Sequence, residues 1–296
     1  MFCPNCGKEM NDSAIFCSNC GWSKESNVSK KGVLKIPKIP KVVFKSVFAV
    51  LGIVILALII YYFPKPKGKV YELSDIGKAK LVSKYWKNSV VDNFDTVKFG
   101  SYAQSDVSGS TKEPIEWIVL KRVGNKALLL SKYIIDCKCY NDERKDVIWE
   151  NCTLRNWLNM HFYNTAFSSS EQNKILTANI SNNGNSVYGT NGGNNTNDKI
   201  FCLSIDEVKA YFDQNDMSSF NKRLATKGTN YANRGNALFV LYGNEWYGGG
   251  TGFWLRSSSG LQGFAATVAE VGWICENGSC VDNRDTGVRP ALWVSY

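Results

Sequence analysis

Four cysteines near the N-terminus set out the clearest chemistry in the chain. Cys3, Cys6, Cys17 and Cys20 lie in the run CPNCGKEMNDSAIFCSNC, a C-x2-C-x10-C-x2-C spacing. Two such knuckles bring four thiolates around one tetrahedral Zn2+, and Gly7 and Gly21 stand where each knuckle must turn sharply. A closed four-thiolate set leaves no open coordination position, so the metal is expected to be structural and not catalytic. A module this short has no apolar core of its own, so zinc binding and folding are expected to be one event.

The other six cysteines, Cys137, Cys139, Cys152, Cys202, Cys275 and Cys280, make an even set that can pair in an oxidising compartment. Cys137 and Cys139 can each pair with Cys152 or Cys202. Cys275-Glu-Asn-Gly-Ser-Cys280 reads as a disulfide closing a hairpin tip between ATVAEVGWI and VRPALWVSY. Free thiols, or soft thiolates suited to Cu(I), are the other readings of this pair.

No other constellation points to catalysis. His161 is the sole histidine, and neither a Gly-x-Ser-x-Gly elbow nor another nucleophile accompanies it, so it reads as a polar residue on a helix face. Arg256, Arg289 and Glu116 read as buried charge partners that fix a core. Trp246 and Tyr247 precede three glycines, a loop on which rings either stack on a sugar or peptide or cap the core. The Asn- and Gly-rich run 181–197 would supply hydrogen bonds to the same face. The expected activity is therefore ligand binding without catalysis.

These residues are sorted by residues 46–63, SVFAVLGIVILALIIYYF, an uncharged stretch closed by Lys45 and Lys65. As a helix it spans roughly 27 Å at about 1.5 Å per residue, enough to cross a hydrocarbon core. About 45 residues precede it and no small-residue cleavage site follows, which argues for a retained transmembrane helix over a signal peptide. Residues 24–45 carry seven lysines against one acid, so the N-terminus is expected in the cytoplasm and the C-terminal bulk outside. The net charge of +9 belongs largely to these flanks: residues 1–69 hold eleven lysines and three acids, while the rest of the chain nearly balances. A nucleic-acid partner is not expected; the expected partners are the bilayer, an extracellular ligand and, through the zinc module, a cytoplasmic protein.

The chain then divides into a zinc ribbon (1–22), a basic linker broken by Pro37 and Pro40 (23–45), the transmembrane helix (46–63), a juxtamembrane linker with a stalk helix (64–93) and a large domain (94–296). In the stalk, Leu73, Ile76, Val82 and Tyr85 recur at helical spacing. TVKFGSY, IEWIVLKRV and KALLLSKYII predict strands, with Gly124-Asn125 as the turn between the last two. CTLRNWLNMHFYNTAF predicts a helix, Glu171 to Leu176 a second, and IDEVKAYF a third, capped by Ser204 with Glu207 at its third position. DKIFCLS, FWLRSS, ATVAEVGWI and VRPALWVSY predict strands, and the fold class is α+β.

The N-terminal module looks like the small zinc ribbon at the start of many bacterial membrane proteins. The large domain resembles a bacterial family of uncharacterised domains over nearly all of 95–296, through FGSYAQ, PIEWIVL, ALLLSKYIIDC, CTLRNWLN, DKIFCLSIDEV, WLRS and GVRPALWV. Its ending looks like that of the C-type-lectin-like, formylglycine-generating-enzyme superfold. That resemblance implies a compact extracytoplasmic domain whose first and last strands pair, with long loops forming a binding face. It also implies an alternative activity, because formylglycine-generating enzymes bind copper on a cysteine pair of similar separation; here that pair would be Cys275 and Cys280, without its usual aromatic and basic companions. A third reading is an envelope scaffold or sensor that docks a cytoplasmic partner through the ribbon. Glu-Pro-Asn and Trp-Asn-Asp motifs are absent, so no standard calcium-sugar site is expected.

Overall fold

The computed structural model describes residues 1–23, 67–85, 89–213, 221–238 and 252–296. The expected transmembrane helix at 46–63, the basic linker and the Trp246-Tyr247 loop lie outside the described residues. Among the described residues, no helix is long and apolar enough to cross a membrane. The chain forms two units, Met1–Pro64 and Lys65–Tyr296.

In the first unit two short turns repeat at an offset of 14 residues. Gly7 N–H donates to Cys3 O and Gly21 N–H to Cys17 O, both at 2.8 Å, and both glycines take φ 72°. That left-handed backbone is open to glycine at no steric cost, which is why Gly follows each Cys-x-x-Cys. Cys3, Met10 and Cys17 are buried, with Ala14 and Trp22 packed against them.

The second unit is a mixed α/β domain. In chain order its strands are β1 (Val70–Glu72), β2 (Thr96–Tyr102), β3 (Glu113–Val123), β4 (Lys126–Ser131), β5 (Asp136–Cys137), β6 (Ile175–Leu176), β7 (Ala178–Ile180), β8 (Thr196–Asp198), β9 (Ile200–Phe201), β10 (Phe253–Ser258), β11 (Phe264–Val268), β12 (Ile274–Cys280), β13 (Gly287–Val288) and β14 (Ala291–Ser295). One sheet runs β1-β2-β3-β4-β14-β6 with β9 also on β14; a second runs β12-β11-β10-β13-β5; β7 and β8 form a ribbon. Trp117, Trp149 and Trp254 are fully buried in the core, and each indole N–H finds a partner, on Phe99 O, Asp198 Oδ2 and Lys138 O.

The Gly124-Asn125 hairpin forms as expected, with Gly124 at φ 56°. Three expectations fail for local reasons. The stalk is not one helix: it is β1 followed by 3-10 turns at Leu73–Lys78 and Val82–Lys84, because Asp95 takes the backbone N–H groups of Lys69 and Lys80. Its apolar residues still reach the core. The segment Glu171–Leu176 splits into a capped turn at Ser169–Gln172 and β6, which joins the edge of the main sheet. ATVAEVGWI is not one strand: it holds the end of β11, a bend at 269–273 in which Gly272 takes φ 84°, and the first residue of β12.

The first strand of the expected domain, β2, does not neighbour the last. β4 does: it pairs antiparallel with β14 from Lys126↔Ser295 to Leu130↔Ala291. Two longer helical segments stand among the described residues. Thr153–Ala166 is helical throughout, with a π turn at Leu158–Phe162 that carries Asn159 across to Lys199 and Ile200. Ile205–Phe212 begins in the expected capping box, Ser204 with Glu207.

Candidate metal centre and ligand pocket

The four N-terminal thiols converge. Their sulfurs all lie within 4.8 Å of one another, and Cys3–Cys20 and Cys6–Cys17 stand at 3.7 Å. A tetrahedral ion with Zn–S bonds of about 2.3 Å requires sulfurs about 3.8 Å apart, so the set fits zinc. Side-chain amides support it crosswise: Asn5 Nδ2 donates to Cys20 Sγ at 3.5 Å and Asn19 Nδ2 to Cys6 Sγ at 3.7 Å. The Asn5 amide is the main reason the Cys20 thiol falls to about 6, whereas burial pushes Cys3 up to about 11. Backbone N–H groups from Cys20 and Asn19 lower Cys17. The site is a structural zinc centre: four protein thiolates fill the shell and leave no position for a substrate.

The Asn/Gly run 181–197 is an ordered loop, docked by its own polar groups onto the β10–β11 hairpin. Asn185 Nδ2 donates to Ser258 O, Thr190 Oγ1 donates to Ser259 O, and Asn191 N–H donates to Gln262 Oε1. Its far end is held by Asp198, which is buried and accepts from Trp149 Nε1 at 2.9 Å, Arg155 Nε at 2.7 Å and Thr196 Oγ1 at 2.8 Å. The composition explains this build. Asn and Ser side chains replace the missing sheet partners of the backbone, and Gly192 permits an approach in which a Cβ would meet Asn182 O at 2.1 Å.

Between this loop, the first turn of Ile205–Phe212 and β10 lies a pocket of about 290 Å³. Its lining is almost wholly hydrogen-bonding, with Ile205 the sole apolar side chain among the described residues that face it. Lys209 pairs with Glu276 at 3.6 Å and Arg256 with Glu207, which leaves Asp206, bonded to the neutral amide of Asn183, as one carboxylate in excess. Asn182 and Arg256 are both more than nine-tenths buried, and Asn182 Oδ1 and Arg256 Nε have no hydrogen-bond partner. The pocket wall thus carries one spare acceptor and one spare donor.

The remaining sequence candidates fall elsewhere. Cys275 and Cys280 are free thiols on one strand, so the expected disulfide at a hairpin tip is not formed. Cys275 opposes Thr267 and Cys280 opposes Phe264, three residues apart on β11 and so roughly 10 Å along the strand. That exceeds disulfide reach, and Thr267 and Phe264 face opposite sides of the sheet, so the two thiols do not converge on a copper ion either. Cys137 and Cys139 donate to Arg284 O and Asp282 O, and Cys152 and Cys202 are free and buried. His161 is exposed and stacks on Trp157. Glu116 pairs with Lys132 at 3.0 Å but is half-buried, not buried as expected, and Arg289 has no carboxylate among its partners; its donors go to the carbonyls of Ser131, Leu224 and Lys132, and burial lowers it to about 9. Sequence reasoning picked out the loop but missed the floor, Asp206 and Lys209 among it, whose only signal is their place on the capped helix.

Residues 124–296 match a family described as a domain of unknown function, DUF6273, and residues 2–21 match a zinc-ribbon domain. The match starts at the β3–β4 turn, later than the motifs FGSYAQ and PIEWIVL had suggested. No curated protein and no solved structure matches the chain.

Proposed function

The chain belongs to the DUF6273 family of domains, and we propose that it is a membrane-anchored protein whose large domain binds a small neutral polyhydroxylated ligand, one sugar unit in size, without chemical change. The pocket under the 181–197 loop carries the proposal. Its size lies near the small end of ligand pockets, roughly 300–1,000 Å³. Glu276 and Glu207 neutralise Lys209 and Arg256 and leave Asp206 over, which disfavours a phosphate or carboxylate ligand. Asn and Ser groups both donate and accept, and so do hydroxyls. The spare acceptor on Asn182 and the spare donor on Arg256 are the two needs a hydroxyl meets.

The same proposal places residues 46–63 across the cell membrane, with the ribbon in the cytoplasm and the domain outside; the lysine excess at 24–45 supports that orientation. A C-type-lectin-like arrangement, which would pair the domain's first strand with its last, loses its support because β2 does not neighbour β14. Copper-dependent oxidation loses its support with the separation of Cys275 from Cys280. Docking of a cytoplasmic protein on the ribbon is a second reading, favoured by Phe2, Ile15 and Phe16, each at least 60% exposed.

A glycan array probed with the full chain in detergent tests the main reading. Binding that Asp206→Ala and Lys209→Ala abolish supports it; Trp246→Ala reports separately on the aromatic loop. Absence of any glycan signal, or binding that both pocket variants retain, would remove the pocket from the account.

A further inference from the structure

We propose that a second pocket, at the bend between β11 and β12, takes an organic cation on the carboxylate of Glu270, the preferred group being a primary ammonium. This pocket encloses about 340 Å³ and shares no lining residue with the first. β12 separates the two: Glu276 lines the loop pocket, while Cys275 and Ser279 line this one. The inference stands independently of the sugar-sized ligand.

Glu270 is 6% exposed, and its Oε1 has no hydrogen-bond partner. A carboxylate oxygen removed from water without a donor beside it is costly, and its retention in a pocket wall points to a positive ligand. The bend itself puts it there. Gly272 at φ 84° packs so closely that a Cβ would meet Asn221 O at 2.1 Å, and the tight turn brings Glu270 and Trp273 to one cavity.

The rest of the lining fits a cation with a carbon chain. Asp285 supplies a second carboxylate, and no Lys, Arg or His lines the pocket among the described residues. Val268, Ala269 and Trp273 give apolar wall, and an aromatic ring is a favourable neighbour for an ammonium group. Thr267 and Ser279 hydroxyls are available as further acceptors. A metal ion fits less well: among the described residues, the only cluster of three or more ligating groups close enough to share an ion is in the zinc ribbon.

Isothermal titration of the full chain in detergent with n-butylamine at pH 7, with n-butanol and calcium chloride as comparators, tests the inference. The expected result is saturable binding of butylammonium, at least tenfold weaker binding of butanol, and a tenfold or greater loss in Glu270→Gln. Equal affinity for butanol, or full affinity in Glu270→Gln, would overturn it, as would calcium binding that Glu270→Gln abolishes in a chain indifferent to the amine. A readout on the unaltered protein guards against a misfolded variant: the Trp273 indole N–H resonance should move with butylammonium, and an unmoved resonance at saturating amine rejects the site. Nα-acetyl-lysine methylamide binding alongside butylammonium would mark a protein-borne lysine as the source of the cation; butylammonium alone would mark a free amine.

Discussion

Cys137 shows how burial decides the chemistry of a thiol. It lines a pocket with Cys139, yet it is pushed up to about 12, first by burial and then by the neighbouring charge of Asp136. A group raised in this way favours the folded state below its ordinary value near 9, and that contribution is lost as pH climbs from about 9 towards 12. At pH 8 its thiolate population is on the order of a thousandfold below that of an ordinary cysteine. Iodoacetamide should therefore alkylate Cys137 far more slowly than an exposed thiol in the reduced protein; labelling at the ordinary rate would contradict the half-buried placement. Little of this is legible in the sequence, where all six later cysteines look alike. The N-terminal four are different because their spacing alone fixes the geometry, down to the two glycines.

At the scale of elements, legibility follows the range of the forces involved. Ser204 and Glu207 cap their helix through contacts three residues apart, and the sequence shows them. The same Glu207 also holds Arg256, a residue 49 positions away, and no local pattern reveals that. The stalk kept helical spacing but lost its helix to Asp95, a tertiary partner for two backbone donors. The bend at Gly272 was missed because ATVAEVGWI alternates well enough to pass for a strand. The cap bears directly on the loop pocket, since it sets the helix turn that carries Asp206 and Lys209. Ser204→Ala should lower stability by about 1 kcal/mol, measured by urea unfolding followed through tryptophan fluorescence. A change well below that would mean the helix start is held by packing and not by its cap.

For the whole molecule, two separate cores imply two separate stabilities. The ribbon's buried set is Cys3, Met10 and Cys17, too small to fold without an ion, whereas the domain has a large continuous core. Removing zinc with a chelator should collapse the dispersed amide signals of residues 1–23 and leave the thermal midpoint of the domain unchanged. A domain that melts together with the ribbon would contradict the division into independent units. Composition announced this division through the Lys-rich flanks and the uncharged stretch, but the seven shortest strands among the described residues were not legible, because strands of two or three residues carry no usable period.

The central claim is that the 181–197 loop and the start of Ile205–Phe212 together bind a small polyhydroxylated ligand. A crystal structure of the protein with a sugar selected from the array tests it most directly. The account predicts the sugar seated between Asn182, Lys209 and Arg256, with a hydroxyl on Asn182 Oδ1 or Arg256 Nε. A sugar bound on any other face, with the loop pocket left to water, would contradict it.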